Sequence, residues 1–371
     1  MRPNATKKEK PDYLLLGIVA ILVLLGIMIL ASVSAALPQQ ENDSPISMLL
    51  RHIIVGLLPG LGLGYVAYRM SLVTIKNWAP AMLLANIALL IAVFVPGIGI
   101  SAGGASRWIN IFGFTSFQPS EFLKLTFILY LAAWLSSRMR KKIGSVSLNF
   151  GAFLAILGVI VLLLGLQPNV STLGVIIVSA MIVYFLAGTP VRENLLMLGG
   201  GIALFFLFIK IAAYRFERFL VFISPDIEPM GMGYQMKQAL ITVGSGGIFG
   251  KGLGMSLQRF GFLPQPMADS IFAIFSEETG FIGGSVMIIL FLLLAWRGFL
   301  IGRKTNDSFA KLLCFGLTSW ILFQAFVNMG AMLRLLPLTG IPLPFVSYGG
   351  SALMAELAAI GLLLNISKQK T

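Results

Sequence analysis

One cysteine and one histidine in 371 residues leave this chain almost without metal ligands, and no Cys or His pattern suggests a metal site. Cys314 stands alone in an apolar run, which excludes an internal disulfide framework. His52 sits where another apolar run begins, and both residues read most simply as parts of membrane helices. Charge is scarce too: 11% of residues carry it, against about 25% in soluble domains. In its place stand 57% hydrophobic residues and a mean hydropathy of +0.92. A soluble globular fold is thereby excluded.

Several apolar runs reach the roughly 20 residues that cross a bilayer as a helix. About ten spans are expected, near 13–36, 53–68, 73–95, 120–136, 149–166, 172–188, 194–213, 271–296, 309–332 and 351–366. The fold class is an all-α polytopic membrane protein, read as one domain over 1–371. The first run follows Arg2, Lys7, Lys8 and Lys10 as a secretory signal would, but it is too long for a signal core and is read as a retained helix.

The net charge of +13 matters through its distribution. Arg69, Lys76, Arg138, Arg140, Lys141, Lys142, Arg192, Arg297, Arg303, Lys304, Lys368 and Lys370 fall on one side of the spans. The opposite short loops hold little beyond Arg51, Arg107 and Arg334. Lys and Arg near span ends favour the cytoplasm, so both termini, 1–12 and 367–371, are expected inside. The long segment 214–270 is then outside, between spans seven and eight.

Two outer connections stand out. Pro96–Ser120 is a loop rich in Gly and aromatics, after which Ser120 is a candidate cap for span four. Glu121 and Lys124 follow three apart on one helical face and are read as a structural pair. The second, Leu335–Ser351, holds three prolines and several glycines between oily spans. Irregular backbone near a membrane must be buried in protein or face water, so this segment is expected to line a cavity.

Within 214–270, Tyr214–Arg218 reads as a basic, aromatic continuation of span seven, Ser224–Pro229 as a turn, and Tyr234–Val243 as a short surface helix. Gly244–Gly254, with Lys251, resembles a phosphate cradle superficially but lacks P-loop spacing; close backbone packing explains its glycines better. Asp269 stands just before span eight. It could be a helix cap, or a carboxylate at the mouth of a membrane cavity that takes a proton from a sugar hydroxyl. Glu277 and Glu278 lie about two turns further on, where ionisable side chains point to pairing or function.

These loops resemble the SEDS family, membrane proteins of bacterial shape, elongation, division and sporulation (the FtsW, RodA and SpoVE group). Four features carry the resemblance across nearly the whole chain: Arg107-Trp-Ile with Phe117-Gln-Pro-Ser-Glu-Phe-Leu-Lys124; Gln167-Pro with Thr172-Leu-Gly; Gly233-Tyr-Gln with Gly244-Ser-Gly-Gly and Gly250-Lys-Gly-Leu-Gly254; and Pro337-Leu-Thr-Gly-Ile-Pro-Leu-Pro-Phe-Val-Ser-Tyr-Gly-Gly-Ser351. The wording leans towards the FtsW branch. The resemblance implies ten helices and a peptidoglycan glycosyltransferase polymerising lipid II on the outer face of the bacterial cytoplasmic membrane. It also implies a class B penicillin-binding transpeptidase as partner, within the division or elongation machinery. The family aspartate in its Leu-Pro-Glu-x-His-Thr-Asp-Phe-Ile-Phe pattern maps to Asp269. Gln265, Met267, Ala268 and Ser270 depart from that pattern, and Asn169 replaces an acid.

The mechanism expected from this resemblance uses Asp269 as general base. Arg107, Arg215, Lys237 and Arg259, with Ser347 and Tyr348, would bind substrate, the cations neutralising the leaving pyrophosphate. A divalent cation could accompany the pyrophosphate, although no dedicated ligand cluster is evident. A lipid II flippase is the alternative, which would place charges deep in several spans; Glu356 is the clearest such case. A scaffold for division proteins is a third reading, and nucleic acid is not an expected partner.

Overall fold

The computed structural model describes residues 10–36, 45–102, 105–111, 115–141, 146–211, 213–224 and 231–369. Helix α1 (Tyr13–Ser34) is followed by a continuous stretch of α2 (Pro45–Arg51), a π-helical turn (His52–Leu57) and α3 (Leu58–Arg69). Then come α4 (Leu72–Ala92), a small sheet, α5 (Pro119–Lys141), α6 (Val146–Leu166), α7 (Val170–Leu186) and α8 (Val191–Ile211). The long segment after α8 holds α9 (Ala213–Ile223) and α10 (Met232–Ser245), before α11 (Ile271–Lys304), α12 (Ser308–Met332) and α13 (Gly350–Ser367). Among the described residues, eight helical stretches are long and apolar enough to cross a membrane, and shorter apolar helices in α6 and α7 stand where the other two spans were expected.

Local chemistry sets several of these helix starts. Asp12 caps α1 by accepting from the Leu15 N–H (2.9 Å), Ser71 caps α4 at Thr74 (3.1 Å), and Asp307 caps α12 at Ala310 (2.9 Å). Asp12 also pairs with Arg297 near the end of α11, tying the chain's start to the far end of the bundle. Helices α3 and α13 approach through small residues. A Cβ on Gly361 would lie 2.1 Å from the Gly64 carbonyl oxygen, so only glycine permits that approach.

Burial divides the bundle. In α12 and α13, 78% of the spanning window is inside the protein, whereas in α8 it is 11%. The polar residues that matter below stand on the buried helices.

Several boundaries differ from the sequence expectation. The 96–120 loop contains an antiparallel meander, β1 (Gly99–Ala102), β2 (Ala105–Ile111) and β3 (Thr115–Phe117), in the order β1-β2-β3. The Tyr214–Arg218 stretch is helical, within α9, while the Ser224–Pro229 turn extends beyond the described residues. Span eight does not end near 296 but continues to Lys304, and it is broken at Gly280 (φ 70°, ψ −168°). Ser120 does not cap α5, which begins at Pro119; its hydroxyl instead accepts from the side-chain amides of Gln118 (3.1 Å) and Asn169 (3.1 Å).

Candidate active site

Two irregular segments meet where α11 begins and α12 ends: 261–270, which leads into α11, and 333–349, which joins α12 to α13. Neither forms regular structure, so their backbone groups need partners from elsewhere. Ser347, 5% exposed, donates its hydroxyl to the Ala268 carbonyl (2.6 Å) and accepts from the Leu343 N–H (2.8 Å). The Tyr348 N–H donates to the Met267 carbonyl (2.8 Å). Asn328 on α12 donates through Nδ2 to the carbonyls of both Asp269 (2.9 Å) and Ile341 (2.8 Å), one amide clamping both segments. Ser171 donates to Thr339 O (2.6 Å) and Arg218 to Leu338 O (3.3 Å).

Both segments also carry a non-glycine residue in the left-handed region, Gln265 at φ 51° and Phe345 at φ 64°. Such backbone persists where its surroundings over-determine it. The Gln265 carbonyl accepts from the Ala268 and Ser270 N–H groups, and the Phe345 N–H donates to Glu356 Oε2 (2.9 Å).

Asp269 is thus held by its backbone while its side chain stays uncommitted. It does not cap α11: the N-cap is Ser270, whose hydroxyl donates to Pro264 O (2.8 Å) rather than capping the helix. Among the described residues no side-chain donor bonds the Asp269 carboxylate, which is half-buried with Oδ2 3.7 Å from where a Cβ on Gly340 would stand. Burial pushes its pKa up from 3.8 to about 6, against the opposing pull of its own backbone N–H and of the Arg218 charge. A carboxylate in that range is ionised near neutral pH and still basic enough to accept a proton.

The cations singled out from sequence are placed unequally. Arg107, on β2, donates to the carbonyls of Gln167 (3.2 Å) and Pro168 (2.6 Å), pinning the sheet to the turn between α6 and α7. Arg259 donates to Ser32 O (3.1 Å) and Oγ (3.3 Å) at the end of α1. Lys237 is half-buried on α10, and the Arg215 side chain lies outside the described residues. Tyr348 packs its ring against that of His52, with centroids 5.4 Å apart. Together with Gly340, Pro342 and Ala268 it lines a cavity of about 430 Å³, so the 335–351 segment does border open space as its composition suggests.

Behind the site runs a buried polar chain. Lys124 pairs with Glu121 (2.7 Å) and donates to Gln324 Oε1 (2.6 Å). The Trp320 indole N–H donates to that same oxygen (2.9 Å). Gln324 Nε2 in turn donates to Pro342 O (3.0 Å) and to Glu356 Oε1 (3.2 Å). Charges within spans are tolerated when they are paired in this way, and these hold the 335–349 segment from below. Gln324 and Asn328, one turn apart, escaped sequence reasoning; polar side chains inside an apolar span were the available signal.

Glu277 is the contrasting carboxylate. It is 1% exposed and accepts from Lys251 (2.6 Å), Ser245 (3.0 Å) and Ser256. The glycine-rich loop that supplies Lys251 fills the break in α11. The N–H groups of Lys251 and Gly252 donate to the carbonyls of Glu277 and Glu278, and those of Phe281 and Ile282 to Gly247 and Ile248. A Cβ on Gly250 would fall 2.2 Å from the Glu278 oxygen. These glycines serve close backbone packing rather than a phosphate cradle. Glu278 accepts from Ser32 (2.7 Å). Among the described residues no three His, Cys, Asp or Glu side chains converge as a metal site.

Eight helices long and apolar enough to cross a membrane, two shorter apolar helices, and a knot of irregular backbone presenting a carboxylate that no side chain among the described residues bonds define a polytopic membrane protein with a candidate active site at one end of the bundle. Residues 12–371 match the FtsW, RodA and SpoVE family of cell cycle proteins, and the chain belongs to that family. It is similar to stage V sporulation protein E of Bacillus subtilis (37% identity over 365 residues, 98% of each chain). It is equally similar to a probable peptidoglycan glycosyltransferase FtsW of a Geobacter species (37% over 363 residues, 97% of each). Among solved structures it resembles a chain of a peptidoglycan synthase complex that coordinates polymerization and crosslinking (TM-score 0.77, 28% identity, 96% of this chain and 97% of that one). Thermus thermophilus RodA is another match (TM-score 0.70, 28% identity, 96% of each chain).

Proposed function

We infer that this protein is a peptidoglycan glycosyltransferase that polymerises lipid II, with Asp269 as its general base. The observation that carries the role of Asp269 is its setting: backbone clamped from α12 and the 335–349 segment, carboxylate with no side-chain donor among the described residues, pKa raised to about 6. As the 4-hydroxyl oxygen of one saccharide bonds to the anomeric carbon of a lipid-linked one, its proton passes to Asp269. The bond from that carbon to phosphate oxygen breaks, and lipid pyrophosphate leaves with the electron pair. One carboxylate suffices because the leaving group is already anionic, unlike the paired acids of glycosidases.

Both termini then lie in the cytoplasm and the Asp269 face lies outside, on a bacterial cytoplasmic membrane. A class B penicillin-binding transpeptidase is the proposed partner, supported by similarity to a chain of a complex that joins polymerization with crosslinking. The test is lipid II polymerisation by the purified protein, with and without that partner. Glycan strands are expected from the pair. Their absence under both conditions, alongside lipid II translocation in vesicles, would replace this reading with the flippase.

A further inference from the structure

Glu356 stands in the second turn of α13, 1% exposed, and the proposed reaction makes no direct use of it. An ionisable side chain so deep in a span points to pairing or function. Both of its oxygens are committed to protein donors: Oε2 accepts from the Phe345 N–H (2.9 Å) and Oε1 from Gln324 Nε2 (3.2 Å). The stretch it grips has few other holds, because Pro342 and Pro344 carry no N–H to donate. Phe345 itself sits at φ 64°, a strained conformation for an L side chain that only its surroundings can maintain.

Three helices supply those surroundings. Glu356 takes the Phe345 N–H from α13. Gln324 on α12 uses one amide nitrogen for both Glu356 and the Pro342 carbonyl (3.0 Å). Gly26 on α1 lies so close that a Cβ there would stand 2.6 Å from the Phe345 carbonyl oxygen and 2.8 Å from Val346 Cα. The turn also closes on itself: the Leu343 carbonyl accepts from the N–H groups of Val346 (3.2 Å) and Ser347 (3.0 Å), and the Leu343 N–H donates to Ser347 Oγ (2.8 Å). Its far end reaches the base. Ser347 Oγ donates to the Ala268 carbonyl and the Tyr348 N–H to that of Met267, the two residues immediately before Asp269. The polarity of this path is set behind it. Gln324 Oε1 accepts from Lys124 (2.6 Å) and Trp320 (2.9 Å), which turns Nε2 towards Glu356. An amide in place of the Glu356 carboxylate would set its NH₂ against either the Phe345 N–H or Gln324 Nε2, donor against donor.

We propose that Glu356 is a positioning residue for Asp269, a carboxylate anchor on α13 that fixes the Leu343–Ser347 turn and, through it, the backbone that carries the base. This rests on the polymerase reading and adds which buried group sets the place of the base. A charge deep in a span then serves the reaction at the end of the bundle rather than a transport path through it.

The test compares wild type, Glu356→Gln and the double variant Glu356→Gln with Gln324→Glu, each as purified full-length protein. Hydrogen–deuterium exchange of the 264–270 and 341–349 segments needs no turnover, and lipid II polymerisation gives kcat and KM. Glu356→Gln is expected to speed exchange in both segments and to lower kcat about tenfold, with KM changed less than about twofold. The double variant reverses the pair, so that the new amide can donate to the new carboxylate while its oxygen still accepts from Phe345. It gives up the bond to the Pro342 carbonyl and should recover most of kcat, which general loss of packing would not allow. Gly26→Ala presses on the same turn from α1 and should lower kcat with the same signature; it and the double variant decide should Glu356→Gln misfold. Faster exchange confined to 341–349, with 264–270 and kcat as in wild type, would overturn the proposal, since Glu356 would then hold the turn without placing the base. A rise in KM at unchanged kcat would overturn it too, in favour of a role in binding. Absence of polymerisation by wild type, with exchange at 264–270 still linked to Glu356, would strike the polymerase reading and leave the link standing.

Discussion

Asp269 and Glu277 stand about two helical turns apart at the N-terminal end of α11, and their surroundings differ in almost every respect. Glu277 is sealed in and accepts from one lysine and two serines. Asp269 is half-buried, held by its carbonyl, and has no side-chain donor among the described residues. A buried carboxylate with both oxygens engaged by side-chain donors stabilises a structure but has little left to offer a substrate. One that is positioned by its backbone yet left unsatisfied costs stability and can do chemistry. The contrast gives the glycine-rich loop an architectural role and supports the proposal of Asp269 as the reacting group.

The sharpest way to break that contrast is at the backbone contact. Gly250→Val would drive a side chain into the Glu278 carbonyl, and its φ of 81° is unsuited to a β-branched residue. Loss of folded protein is expected, read as membrane-extracted monomer on size exclusion. Next, Glu277→Ala leaves Lys251 without its partner. It should cost about 2–3 kcal/mol, at or below the low end for a broken buried pair because Lys251 reaches solvent. Thermal unfolding in detergent measures this, and polymerisation per folded molecule should stay close to wild type.

Asn328→Ala sharpens the other side. Removing the amide frees the carbonyls of Asp269 and Ile341 together, so kcat should fall roughly tenfold with little change in KM, the signature of a misplaced base. A proportional rise in KM would instead mean that Asn328 shapes binding. The smallest effect concerns pH. Polymerisation should rise as pH climbs through about 6 and level off above 7, since only ionised Asp269 accepts a proton. Arg218→Gln removes a charge that favours the ionised form, so the limb should move to higher pH. Stability has the opposite sign. The folded carboxyl holds its proton more tightly than the unfolded one, so its contribution is present below pH 4 and lost as pH rises through 6.

Much of this was legible in the chain. The ten apolar runs all fall in helical stretches, eight of them long and apolar enough to cross a membrane among the described residues, because length and hydropathy are what define a span. Glu121 and Lys124, three apart, met as helical spacing requires. The 335–351 segment bordered a cavity for the reason its composition implied. What was illegible depended on distant partners. Ser347 bonds Ala268 across 79 positions and Asn328 reaches Asp269 across 59, and nothing local announces either. The break at Gly280 had no local signal, because it is stabilised by a loop some thirty residues earlier. The cations were visible as charges, but sequence carries no direction: Arg107 and Arg259 turned inward to carbonyls, while Arg51 and His52 reached the cavity through a π turn with no sequence signal.

The measurement that tests the central claim most directly is lipid II polymerisation by Asp269→Asn, with thermal unfolding of the same preparation at pH 7. The substitution keeps the side chain's shape and removes only the basic oxygen. Glycan synthesis is expected to fall by a factor on the order of 10² to 10⁴, with stability equal to or above wild type because an ionised, unsatisfied carboxylate has been removed. Polymerisation at the wild-type rate by a folded Asp269→Asn protein would contradict the account and place the base elsewhere.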